Sequence, residues 1–393
     1  MSQYWSRRTQ SLDPYIPGEQ PRDRRYIKLN TNENPYPPSP GTLAAIKGAA
    51  QGDLRLYPDP SCLELRTALA ARYGCALEEV FVGNGSDEIL GLVFGAFFES
   101  AEGPANAGPA AASGPALAGP PEAAPGTPGA GSPLSAVAPL LFPDITYSFY
   151  PVYAKLWDIP YEEVPLADDL SIRAKDYLRP SRGVIFPNPN APTSRALGRK
   201  EILEVVRYQR EQGRVVVLDE AYVDFGAESL ARDIRENPNL LVVHTYSKSR
   251  SLAGLRVGFA LGQADLVEGI RRIKDSFNSY TLDRAALAGA VAALKDRAYY
   301  DEMNARVVAT RERVAAEFMA LGFEVPPSTA NFIFPAHPKV AATTLFAKLR
   351  ERGVLVRHFK HPRIVNRLRI SIGTDGEMDQ LLAAVRAILQ EES

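Results

Sequence analysis

Val215-Val216-Val217-Leu218-Asp219-Glu220-Ala221-Tyr222 joins four consecutive apolar residues to a pair of carboxylates. The apolar run lacks the alternation of a half-buried strand. It predicts a central strand covered on both faces, the kind found in parallel sheets. A carboxylate at the end of such a strand costs desolvation unless it caps the next element or meets a cation. Comparable runs recur at 140–142, 183–186, 240–245 and 257–261, and helical stretches separate several of them. One such stretch is 200–212, which Gly213 stops. Apolar strands alternating with helices predict a mostly parallel sheet with helices on both faces.

Toward the N-terminus, a helix is predicted from Ser61 as its cap, with Cys62, Leu65 and Leu69 on one face and Gly74 as its stop. A short strand at 80–82 then runs into Gly83-Asn84-Gly85-Ser86-Asp87-Glu88. The next helix, 87–99, is apolar nearly all round, which predicts burial on most sides. Residues 101–139 are almost only Ala, Gly, Pro and Ser, with Glu102 and Glu122 their only charges. Such a segment has no packing face to offset its ordering entropy, and it is expected to be a disordered insertion in a surface loop. Beyond 283 shorter units follow: helices at 283–294, 299–321, 341–352 and 377–390, with strands at 331–334, 354–357 and 368–372. They predict a smaller α/β layer. The expected division is an N-terminal arm (1–35) that needs a surface to lie on, a large domain (36–282) and a small C-terminal domain (283–393).

The chain has 393 residues, 45% hydrophobic and 23% charged, with 45 basic and 46 acidic side chains. That balance gives no basic surface for a nucleic-acid backbone, so any phosphate must be met by a few local groups. Cys62 and Cys75 have no metal-ligand spacing around them and read as reduced structural thiols, so no metal site is expected. Residues 1–10 lack the apolar core of a signal peptide, and no run reaches membrane-spanning length. The cytoplasm is the expected compartment, with no membrane partner.

Four segments lie at predicted strand ends, where open α/β sheets bind ligands. Gly83 to Glu88 opens a helix, and its glycines and helix N-terminus suit an anion, though a tight turn alone would also need glycine. Asp219 to Tyr222 sets a carboxylate where a protonated ring nitrogen could meet it. Thr245-Tyr246-Ser247-Lys248-Ser249-Arg250-Ser251-Leu252-Ala253-Gly254-Leu255-Arg256 places a lysine in a Ser/Gly-rich loop after a buried strand. Such an amine can form an imine with an aldehyde cofactor, and Ser247 and Arg256 could hold that cofactor's phosphate. Asn188-Pro189-Asn190-Ala191-Pro192-Thr193 is a proline-fixed turn whose Asn amide could reach a ring hydroxyl, or simply a turn.

In this order, the segments resemble the fold-type I pyridoxal-phosphate-dependent aminotransferases, and more closely the histidinol-phosphate aminotransferases. Further matching pieces are Leu29-Asn30-Thr31-Asn32-Glu33-Asn34-Pro35-Tyr36, Tyr57-Pro58-Asp59, Thr146-Tyr147-Ser148-Phe149-Tyr150, Val354-Leu355-Val356-Arg357 and Leu368-Arg369-Ile370-Ser371-Ile372-Gly373-Thr374. They span nearly the whole chain outside 101–139.

The resemblance implies pyridoxal 5′-phosphate held as a Schiff base on Lys248, which later acts as the base. It implies that Asp219 keeps the pyridine nitrogen protonated, that Tyr222 and an Asn meet the ring oxygen, and that Tyr147 stacks on the ring. Ser86, Ser247 and Arg256 fall at the phosphate, joined by Tyr57 of a second subunit in a homodimer, and Gly85 and Asp87 fall among the cofactor-binding residues. Arg369 falls at the substrate anion with Arg357 and Tyr15, and Asn32 among the substrate-binding residues. Many relatives have Asn directly before Pro-Thr-Gly, where this chain has Ala191, so Asn190 is taken for the ring contact. The reaction implied is transamination of histidinol phosphate with 2-oxoglutarate. The alternatives are an aromatic aminotransferase, a threonine-phosphate decarboxylase, a cofactor-sensing regulatory module, or a scaffold using the Pro/Ala-rich insertion.

Overall fold

The computed structural model describes residues 3–15, 18–51, 54–98 and 138–392. The expected insertion at 101–139 lies outside these residues except for 138 and 139. Twelve strands are present among the described residues: β1 Ile27–Lys28, β2 Val80–Gly83, β3 Leu140–Pro143, β4 Tyr161–Val164, β5 Gly183–Pro187, β6 Val216–Asp219, β7 Leu240–Thr245, β8 Gly258–Leu261, β9 Phe332–Ile333, β10 Val354–Leu355, β11 Arg357–His358 and β12 Leu368–Ser371. The helices are α1 Arg7–Ser11, α2 Pro40–Ala50, α3 Leu63–Tyr73, α4 Gly85–Phe97, α5 Tyr150–Leu156, α6 Arg199–Glu211, α7 Ala264–Asp275, α8 Arg284–Lys295, α9 Arg297–Ala320, α10 Ala342–Glu351 and α11 Asp375–Glu391.

Seven strands form one sheet in the order β2-β8-β7-β6-β5-β3-β4. All neighbours are parallel except at β8, which runs antiparallel to both β2 and β7. The sheet is therefore mixed and mostly parallel. The period-2 geometry of β6 explains its unbroken apolar run. Val216 and Leu218 face a core shared with α3, α6 and α8, while Val217 faces a second core shared with α4, α5 and α7. All three side chains are fully buried, and each contributes on the order of 1.5–3 kcal/mol of transfer free energy.

A third core lies between α9, α10 and α11 and the strands β9, β10 and β12; β9 and β12 pair with β11 in the order β11-β12-β9. The expected strand at 354–357 divides at Val356. β10 pairs with β1 of the N-terminal arm, whereas β11 pairs with β12. The arm thus finds a surface on its own chain: Ile27 lies opposite Val354 and Lys28 opposite Leu355. Helix α8 sits at the start of the expected small domain, yet Ala286, Ala290 and Val291 pack into the core of the large sheet.

Two local expectations are corrected. Ser61 does not cap α3. Asp59 accepts from the backbone N–H of Leu63 at 2.7 Å and of Ser61 at 2.9 Å, and Cys62 takes the N-cap position. The α4 helix begins at Gly85 rather than 87, so Gly85 and Ser86 belong to its first turn. Gly74 ends α3 as expected, at φ +69°.

Candidate active site

The C-terminal ends of β5, β6 and β7 and the N-terminus of α4 open into a cavity of about 280 Å³. Its wall includes Ser86, Asp87, Tyr147, Asp219, Tyr222, Ser247, Lys248 and Arg256, residues far apart in the chain. A larger cleft, about 600 Å³, lies between Pro60 and α7. Four of its charges are paired, Lys274 with Asp275 at 2.9 Å and Arg271 with Glu268, and Arg66 is spent on the Val80 and Leu77 carbonyls at 2.9 and 2.7 Å.

Lys248 follows β7, and its Nζ donates to the carbonyl of Thr31 at 3.1 Å. The Asn34 side chain donates to the Lys248 carbonyl at 3.0 Å, so the arm holds both ends of this residue. Asp219 ends β6 and is only 4% exposed. It accepts from the Ala221 N–H at 3.1 Å and the Tyr150 hydroxyl at 3.2 Å. Burial outweighs both bonds and pushes its carboxyl up to about 6. A carboxylate in this position gains from a cationic partner, and a protonated pyridine nitrogen would provide one.

The anion cradle is built from α4 and β8. Arg256 Nη2 bonds Asp87 at 2.7 Å, and its Nη1 lies 3.4 Å from the Ser247 hydroxyl. A Cβ on Gly85, at φ +76°, would stand 2.6 Å from Arg256 Nη2. A Cβ on Gly258 would meet the backbone of Gly85 and Ser86 at 2.6 Å. Only glycine at these two positions lets the first N–H groups of α4, the β8 backbone and the guanidinium come together, an arrangement suited to a phosphate. Tyr147 also donates to Asp87, and its phenol is pushed up by burial and by that carboxylate.

Tyr222 accepts a hydrogen bond from Asn32 Nδ2 at 3.0 Å, which leaves its own hydroxyl hydrogen free to donate. Asn32 is in turn fixed by Ser371 of β12, through its N–H and its Oδ1, both at 2.8 Å. Arg357 and Arg369 stand directly opposite each other on β11 and β12. Arg369 Nη2 donates to the Asn30 carbonyl at 3.0 Å, while its Nε is buried without a partner. Burial lowers the pKa of this guanidinium. Among the described residues, neither arginine has a carboxylate within salt-bridge distance. Tyr15 stacks on Phe149 at 4.2 Å.

Of the expected site residues, Tyr15, Asn32, Gly85, Arg357 and Arg369 are not in the cavity wall, and neither are Asn190 and Tyr57. Asn190 is 1% exposed, and its amide is used internally. Nδ2 donates to Ile145 O at 2.9 Å and Thr193 Oγ1 at 3.0 Å, and Oδ1 accepts from Thr146 at 3.0 Å. Ala191 lines the cavity in its place, so the ring contact expected of Asn190 is not available. Tyr57 is 76% exposed and stacks on Tyr280 at 4.5 Å, away from its own chain's cavity. Conversely, Thr31 and Glu33 line the cavity without having been singled out. The Asn30-to-Pro35 motif had marked the segment but not which of its side chains face inward.

The profile of the family described as "Aminotransferase class I and II" matches residues 24–103 and 133–385, together most of the chain. The chain belongs to this family. Class I and II aminotransferases are pyridoxal 5′-phosphate enzymes, and this chain is one of them, catalysing transamination of small-molecule substrates. It is 51% identical over 391 residues to "Histidinol-phosphate aminotransferase 1" of Bordetella parapertussis, covering 99% of each chain. With the histidinol-phosphate aminotransferase of Clostridium acetobutylicum it shares 47% identity, over 98% of this chain and 99% of the relative. Among solved structures, the histidinol-phosphate aminotransferase of Sinorhizobium meliloti in complex with pyridoxal-5′-phosphate has the same fold. The TM-score is 0.82 at 24% identity, covering 100% of this chain and 99% of that one. The aminotransferase sheet thus has the mixed, mostly parallel form expected of fold type I. Among the described residues, no helix is long and apolar enough to cross a membrane.

Proposed function

We propose that this aminotransferase transfers the amino group of L-histidinol phosphate to 2-oxoglutarate, giving imidazole acetol phosphate and glutamate, as a step of histidine biosynthesis. The observation that carries this reading is the Arg357–Arg369 pair: two guanidinium groups opposite each other on β11 and β12, without a carboxylate partner among the described residues, with Arg369 over the Phe332 ring that packs against Tyr222 of the cavity wall. One guanidinium grips a planar carboxylate in a bidentate fork, whereas a dianionic phosphate gains from a second cation. The full-length similarity to histidinol-phosphate aminotransferases supports the same substrate.

In this reading, Lys248 would hold the cofactor's aldehyde carbon and Asp219 its ring nitrogen. Tyr222 would donate to the ring oxygen, and Tyr147 would lie against the ring. Ser86, Ser247, Arg256 and the backbone at Gly85 would hold the phosphate, with Asp87 orienting Arg256. The bound cofactor supplies an electron sink for the pair left at the substrate's Cα. Arg369, helped by Arg357 and Tyr15, orients the substrate so that its Cα–H points at Lys248. The Lys248 Nζ, a free amine once the substrate's amino group has replaced it, would take the Cα proton, which requires hydrogen-bond reach. Asn32 holds Tyr222 in place from the side of β12.

The same reading takes the enzyme as a homodimer. Leu54, Leu56, Tyr57, Phe277 and Tyr280 are 63%, 47%, 76%, 85% and 44% exposed, a concentration of large apolar side chains that a second copy would cover. Tyr57 would then reach the partner's cofactor phosphate. The deciding experiment is a donor panel with 2-oxoglutarate as acceptor. Histidinol phosphate is expected to exceed phenylalanine, tyrosine and threonine phosphate in kcat/KM. Preference for an aromatic amino acid would replace the substrate assignment.

A further inference from the structure

Two poles of opposite charge stand at and beside the cavity. Arg369 lies over the Phe332 ring, which packs edge-on against Tyr222 of the cavity wall, and with Arg357 opposite it makes the cationic pole. The other is Glu33, whose carboxylate lines the same wall as Thr31, Asp219, Tyr222 and Lys248. One oxygen accepts from the Lys28 ammonium and the other from the Thr31 hydroxyl. Burial alone would raise its pKa. The bonds from Lys28 and Thr31 and the charges of Lys28 and Lys248 outweigh burial and hold the carboxyl below its usual value. Glu33 is therefore an anion at neutral pH. An ionised carboxylate offers about four acceptor positions, of which these partners use two. Its side chain remains 39% exposed, which leaves the other positions open.

The arm's geometry directs this charge inward. Asn32 sits at φ +56°, and its side chain turns away to Tyr222 and Ser371. Thr31 and Glu33 on either side of it face the cavity. Lys28, which clamps Glu33, pairs in register with Leu355, two residues before Arg357. The cationic pole rides on β11 and β12 and Glu33 on the arm segment after β1, both outside the large sheet that carries Asp219. A ligand that complements the pair is anionic at one end and carries an N–H donor, or a weakly basic ring, at the other.

We propose that Glu33 is a specificity-determining residue whose carboxylate receives a ring N–H of the amino donor's imidazole. This rests on the histidinol-phosphate reading above. Glutamate, which shares the site in the other half-reaction, has no such ring, so Glu33 acts on one half of the cycle only. A purely structural Glu33 would behave differently. It would hold Thr31, whose carbonyl binds Lys248, and its loss would slow both halves together.

The test uses the holoenzyme and single-turnover half-reactions. Glu33→Gln keeps the side-chain shape and removes the charge. It is expected to lose about 10-fold or more in kcat/KM with histidinol phosphate while the glutamate half-reaction stays within roughly 3-fold. A second comparison varies the donor's ring. The wild type should prefer histidinol phosphate over phenylalaninol phosphate, which has the same phosphate and an aromatic ring without N–H, and Glu33→Gln should abolish that preference. Equal losses in both half-reactions overturn the proposal, as does a ring preference that survives in Glu33→Gln. So does a wild type indifferent between the two phosphates. A wild type inactive with histidinol phosphate brings down the proposed function and this inference together, which separates that outcome from the others.

Discussion

Asp219 shows how one buried residue serves function against stability. Its carboxyl titrates near 6 in the folded protein, above the ordinary value of 3.8, chiefly because of burial. A raised carboxyl favours folding while protonated, and that contribution is lost as pH rises from about 4 through about 6. The shift corresponds to about 3 kcal/mol at most. In cofactor-stripped protein, Asp219→Asn should therefore raise Tm at pH 8 and give no gain at pH 4, as thermal melts at the two pH values would show. The same variant should bind pyridoxal phosphate more weakly, since the ring nitrogen loses its anionic partner. Arg357 and Arg369 are separable in the same way. Loss of a charge-assisted contact costs about 1.5–3 kcal/mol, about 10- to 150-fold in kcat/KM. Stopped-flow half-reactions should find Arg357→Ala impaired mainly with histidinol phosphate and Arg369→Ala impaired with both substrates. Equal losses in Arg357→Ala would remove the phosphate role. At this scale the sequence marked Lys248, Asp219, Tyr222 and both arginines. It misplaced the Asn190 amide, because nothing local shows that Ile145, Thr146 and Thr193 use it up.

Among the elements, the contact between β8 and the start of α4 carries the cradle. Gly258→Ala would put a Cβ 2.6 Å from the Gly85 carbonyl carbon and the Ser86 nitrogen, both backbone atoms that cannot rotate away. Overpacking of this kind costs about 1–3 kcal/mol, and here it would also displace the N–H groups at the phosphate. A lower Tm and a weaker Kd for pyridoxal phosphate are expected together. Gly254→Ala is the control, since nothing lies within 4 Å of its added Cβ and its Kd should be unchanged. An unaltered Kd in Gly258→Ala would remove β8 from the cradle. Element types were readable where the pattern was strong, as in the unbroken apolar run of β6 and the helical spacing of α6. Helix α2 was legible in principle, since Ser39 caps it and Pro40 follows at its first position. Strand β4, Tyr161-Glu162-Glu163-Val164, was not. It is an edge strand whose two glutamates break the apolar run, and its pairing with β3 defines it.

For the whole molecule, the expectation that matters most is a shared active site. Lys248→Ala and Tyr57→Phe subunits, each impaired alone, should form mixed dimers in which one site carries both lesions and the other none. Activity should rise above that of Tyr57→Phe by itself, measured after co-refolding or subunit exchange. Activity no higher than that would place Tyr57 outside the partner's site. The sequence by itself determined the apolar strands, the periodic helices between several of them and the residues at those strand ends. Periodicity, glycine placement and the cost of burying a carboxylate are local properties that need no knowledge of neighbours. Only the tertiary structure decided which distant segments meet. It split 354–357 between two sheets, laid β1 on β10, and so brought Thr31, Asn32 and Glu33 to Lys248 and Tyr222. Those contacts join residues about 190 to 220 positions apart, and no local propensity encodes them. They exist because the arm's backbone N–H and C=O groups find partners along β10, which carries the 31–33 segment over the ends of the central strands.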